Sequence, residues 1–118
     1  MPNFQRLFSA AFCSAACFLI VGCSTMTTLR LSGTPGASFT GHYRTQTSSF
    51  DLSGALPLVV EVPSSSLQEW EFRKSDPRST LWLEMLHGST RILEGTAGPG
   101  TLGLKAQKEG GWHLQIIQ

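Results

Sequence analysis

Three imidazoles, at His42, His87 and His113, are the first residues from which chemistry could be built. No two of them have the short spacing that zinc sites use, so no metal ligand is expected. Glu69 and Glu71 stand two apart, and on an extended strand they would share a face as a carboxylate pair for general acid and base work. Arg73 follows on the same face, and charges in that order read as a solvated surface. Serines are plentiful, but neither G-x-S-x-G nor S-x-x-K occurs, so no nucleophile is indicated. Gly98-Pro99-Gly100-Thr101-Leu102-Gly103 fits G-x-G-x-x-G. Pyrophosphate binding at that spacing needs a helix opening at the loop, with its N–H groups and dipole aimed at the phosphates. An alternating, strand-like segment follows instead, so the glycines are read as a tight connection. The expectation is a non-enzymatic chain with no catalytic residue and no cofactor.

The elements around these residues begin with the only long apolar run. Met1 to Gln5 is short and polar, Arg6 follows, and Leu7 to Val21 is rich in Leu, Phe, Ala, Ile and Val. That order is the n-region and h-region of an export signal. It closes on Ile20-Val21-Gly22-Cys23, with Ser24 and Thr25 next. These four residues resemble the lipobox of bacterial lipoproteins. The resemblance implies cleavage between Gly22 and Cys23, diacylglycerol on the Cys23 thiol, and a membrane partner reached through that lipid. Ser24 after the cysteine implies the outer membrane of a cell that has two. An uncleaved membrane helix is the competing reading; a span needs about 20 apolar residues, and Ser9 and Ser14 interrupt this run. An ordinary secretory signal is the third.

Removing residues 1–22 from the 118-residue chain leaves 96, enough for one domain. Cys13 and Cys17 would leave with the signal and Cys23 is committed to lipid, so no disulfide is expected. Of the 9 basic residues only Arg6 lies in that signal, so 8 remain against 8 acidic ones. That balance is the opposite of a nucleic-acid footprint. The expected organisation is a signal peptide over 1–22, a lipidated tether over 23–28 and one domain over 29–118.

Within that domain apolar and polar residues alternate. Leu29 and Leu31 flank Arg30; Phe39, Gly41 and Tyr43 flank Thr40 and His42; Phe50 and Leu52 flank Asp51. A period of two predicts strands with one buried face. Leu56 to Val62 is nearly continuous in apolar residues between Pro57 and Pro63, which predicts a strand covered on both faces. Ser66 with Glu69 matches a helix capping box, but Trp70 and Phe72 alternate with Glu69, Glu71 and Arg73, and Pro77 closes the stretch. A strand over 67–74 is expected. Further strands are expected over 80–86, 90–94, 102–106 and 112–116, with His87-Gly88-Ser89 as a hairpin turn. Turns recurring about every ten residues without a convincing helix predict an all-β protein, a small antiparallel sandwich, Ig-like or similar, of about seven to nine strands.

Trp82, Leu86 and Ile117 fall on faces that alternation leaves outside. They are either core on the second face of a central strand or scattered surface apolars, or else a contact patch for an envelope protein or a lipid-like ligand. Trp70, Phe72 and Trp112 would line an apolar cavity if the domain were a small-ligand carrier. The layout of an N-terminal membrane attachment before one β domain resembles the MmpS-type transport accessory proteins. The likeness lies in Leu31-Ser32-Gly33 through Phe39-Thr40-Gly41 and in the strand Trp112 to Ile116. It implies an accessory role and carries over no site residue.

Overall fold

A computed structural model describes residues 26–63 and 66–118. Gly22 and Cys23, and with them the motif that resembles a lipobox, lie outside the described residues. Nine strands are found among the described ones: β1 (Met26–Gly33), β2 (Ser38–Thr45), β3 (Ser49–Ala55), β4 (Leu58–Pro63), β5 (Leu67–Lys74), β6 (Leu81–His87), β7 (Thr90–Ala97), β8 (Gly103–Lys108) and β9 (Trp112–Ile117). They form a four-stranded sheet in the order β4-β1-β6-β7 and a five-stranded sheet in the order β3-β2-β5-β8-β9. Every neighbouring pair is antiparallel. The fold is a small all-β sandwich.

The alternation explains which faces meet. Leu29 and Leu31 of β1, Leu81, Leu83 and Met85 of β6, Trp70 and Phe72 of β5, and Leu104 and Ala106 of β8 are all buried in one core. The Phe72 ring lies 6.1 Å from Phe39 in an edge-on contact and 5.8 Å from Trp70. Burying each such ring contributes about 1.5–3 kcal/mol. The alternation slips once in β5, where Arg44 pairs with Glu69 but Thr45 pairs with Leu67. Gln68 is the extra residue of this bulge, which lets both Leu67 and Trp70 face inward. Ser66 heads no helix; its hydroxyl donates to the carbonyl of Pro63.

Two expectations are corrected. Half of the stretch read as a tether over 23–28 is strand, because Met26, Thr27 and Thr28 belong to β1, and residues 23–25 lie outside the described residues. Thr27 is buried, paired with Val62 on one side and His87 on the other. The apolar run before Pro63 is not covered on both faces. β4 is an edge strand with Val59 at 56% exposure, and its bracketing prolines suit a strand that pairs on one side only.

Candidate functional site

The outer face of the five-stranded sheet gathers much of the chemistry. Cross-strand register aligns Asp51, His42, Glu71, Lys105 and Gln115 in one row, and Ser49, Arg44, Glu69, Gln107 and His113 in the next. These residues face out because their neighbours Tyr43, Trp70, Phe72 and Leu104 face the core. A shallow depression of about 510 Å³ is lined by Thr40, His42, Asp51, Ser53, Glu71 and Arg73. Glu71 lines this depression, Glu69 lies beside it on the same face, and each has an arginine. Arg73 Nε donates to Glu71 Oε2 at 2.6 Å, and Arg44 Nη2 donates to Glu69 Oε1 at 3.2 Å. The Arg44 hydrogen bond holds the Glu69 carboxyl below its ordinary range, with the positive charge adding to the effect. A general acid needs the reverse shift. The surface presents fixed charges of both signs and suits recognition of a polar group better than proton transfer.

The three imidazoles are not brought together. His42 is half-buried in β2, His113 is on β9 with Nε2 3.0 Å from the carbonyl oxygen of Glu109, and His87 ends β6 in the other sheet. Among the described residues no three His, Cys, Asp or Glu side chains are grouped as a metal site. The glycine-rich stretch links β7 to β8, with Gly103 opening a strand and no helix following.

Trp82, Leu86 and Ile117, the residues of the possible contact patch, do not lie on one surface. Leu86 is only 9% exposed, because it sits in the sheet between Thr28 and Arg91. Trp82 is half-buried and its indole N–H donates to Glu94 Oε2 at 2.8 Å. Ile117 is half-buried on β9, in the opposite sheet. Trp70 and Phe72 are buried in the core and pack against each other, where the carrier reading requires them to line a cavity. Trp112 is half-buried and packs on the same core.

Two arrangements were not anticipated from the sequence. On the outer face of the four-stranded sheet, Glu84 has a side chain only 8% exposed and accepts from Arg30 Nη1 at 3.1 Å and Arg91 Nε at 3.0 Å. Arg91 also reaches Glu94 at 2.6 Å, which joins Trp82 to the same network. The second is Lys74, buried at the end of β5. Its Nζ donates to the carbonyls of Pro77 at 3.1 Å, Ser79 at 2.7 Å and Gly98 at 2.7 Å. Burial pushes this amine below its ordinary pKa. The signal for it was present: Trp70, Phe72 and Lys74 share the inward phase of one strand, and a lysine in that phase must find acceptors.

The chain matches no protein-family model, no curated protein and no solved structure.

Proposed function

We propose that this chain is a lipid-anchored protein of the bacterial cell envelope, and that its sandwich serves as a non-enzymatic interaction module. The observation that carries the reading is Ile20-Val21-Gly22-Cys23 at the end of an export-type apolar run. The arrangement of the charged residues supports the second half. Glu69 and Glu71 are both tied to arginines, and the core rings leave the interior filled by the chain's own side chains. The carrier reading would need Trp70 and Phe72 to yield that space to a ligand.

Intact-mass measurement on protein expressed in bacteria, beside a Cys23→Ala variant, tests the anchor. The expected product starts at Cys23 and carries acyl mass that the variant lacks. A chain that keeps residues 1–22 without added mass would leave a membrane-tethered β domain in place of a lipoprotein.

A further inference from the structure

The start of β1 limits where the domain can stand once Cys23 carries lipid. Only Ser24 and Thr25 separate Cys23 from Met26, the first residue of that strand. Consecutive Cα atoms are 3.8 Å apart, so the Cys23 and Met26 Cα atoms are at most about 11 Å from each other. The polar headgroup region on each side of a bilayer is itself about 5–7 Å deep. β1 is no flexible stalk, since it lies between β4 and β6 and pairs with both from Thr27 onward. The end of the sandwich that holds Met26 must therefore meet the headgroups.

That end can be named from the register. Met26 pairs with Pro63 and Thr27 with His87, and β5 and β9 both start there, beside the ends of β2 and β8. Its fully described connections are Thr45–Ser49, His87–Thr90 and Lys108–Trp112. They hold Gln46, Thr47, Ser48, Gly88, Ser89 and two more glycines, with Lys108 and Glu109 as a compensating pair of charges. Short neutral polar side chains can hydrogen-bond to phosphate and glycerol oxygens without bulk or net repulsion. Phe50, 45% exposed and stacked on Tyr43 at 5.0 Å, lies at the same end. An aromatic pair of this kind is the side chain type favoured at headgroup depth. The opposite end carries Asp76 bound to Arg78, the Lys74 cage and the exposed Leu102.

We propose that the sandwich stands end-on against the bilayer, with the Thr45–Ser49, His87–Thr90 and Lys108–Trp112 connections in the headgroup layer and the Lys74–Leu81 and Ala97–Gly103 connections turned away from it. The proposal rests on lipidation of Cys23. It assigns a lipid-contacting surface and leaves the far end as the surface open to a protein partner. An eight-residue strand spans about 26 Å, so the two ends differ clearly in distance from the membrane.

The test uses acylated protein purified from bacteria, in vesicles of phosphatidylethanolamine and phosphatidylglycerol doped with a lipid whose headgroup bears a nitroxide quencher. Single cysteines are introduced as Thr47→Cys or Ser89→Cys at the near end and Ser75→Cys or Arg78→Cys at the far end. With the Cys23 thiol in thioether linkage, only the new thiol takes up the fluorophore. Quenching several-fold stronger at positions 47 and 89 than at 75 and 78 is expected. A flexible Gly/Ser spacer of about 12 residues before Met26, roughly 20 Å in mean span, should remove most of that difference. Equal quenching at the two ends, or stronger quenching at 78, overturns the end-on placement. A gradient that survives the spacer overturns the argument from the short tether. Acyl mass is measured on the same samples, so a chain without lipid on Cys23 shows failure of the anchor, whereas an acylated chain without a gradient shows failure of the orientation.

Discussion

Lys74 is the residue whose chemistry is most tightly bound to the fold. Its ammonium joins carbonyls from the β5–β6 connection, Pro77 and Ser79, to Gly98 of the β7–β8 connection. A charge-assisted hydrogen bond contributes about 1.5–3 kcal/mol, and acceptors left buried without a partner cost about as much again. Lys74→Met keeps the aliphatic stem and removes the donor. It is expected to cost about 3 kcal/mol, seen in urea denaturation as a lower midpoint at unchanged slope. Glu69 lies at the other extreme, because Arg44 is about half exposed and solvent screens the pair. Arg44 lowers the folded-state pKa of Glu69 beneath its ordinary 4.5, so the unfolded chain binds the proton more readily. The contribution is therefore present above pH 4.5 and is lost as pH falls through the lower folded value. Glu69→Gln should cost less than about 1 kcal/mol at neutral pH. Urea melts repeated at falling pH should show wild type and variant converging; a gap that stays constant would remove the ion pair as its cause.

At the scale of elements, β8 can lie beside β5 only because Gly103 has no side chain. A Cβ at that position would stand 2.1 Å from the backbone oxygen of Phe72, an atom held in the sheet and unable to move aside. Gly103→Ala is expected to destabilise by about 3 kcal/mol or more, the upper range for overpacking. Gly98→Ala is the control, since a Cβ there meets nothing within 4 Å. Thermal unfolding of the two variants distinguishes close strand approach from a general intolerance of the glycine-rich stretch. Alternation made most of these elements legible in the sequence, β5 down to both of its ends, since Trp70 and Phe72 in phase admit only a strand with one buried face. What alternation does not encode is the neighbour. It gave the apolar content of β4 without its edge position, and the outward phase of Leu86 without the neighbours, Thr28 and Arg91, that flank it in the sheet. The Glu84 network escaped for the same reason: Arg30 and Arg91 meet one carboxylate only after β1 and β7 are set on either side of β6.

For the whole molecule the decisive quantity is charge. From Cys23 onward 8 basic residues face 8 acidic ones. Arg30, Arg44, Arg73, Arg78 and Arg91 are all engaged in ion pairs, and Lys74 is buried among carbonyls. A basic side chain near an anionic membrane surface adds about 1 kcal/mol of attraction and an acidic one offsets it, so a net attraction needs a basic excess. No such excess exists on this domain, so its protein surface adds little to membrane retention even if one end rests on the headgroups. On the proposed lipidation of Cys23, retention falls to the acyl chains, at about 0.8 kcal/mol per buried methylene and with two chains needed for a stable hold. A form lacking residues 1–22 and carrying Cys23→Ala should stay in the supernatant when phosphatidylglycerol vesicles are sedimented, at low salt as at high. The acylated protein should sediment with them under both conditions. Salt-sensitive binding of the lipid-free form would reveal an electrostatic footprint that the paired charges do not provide, and would shift the cause of membrane association from the proposed lipid on Cys23 to the surface of the sandwich.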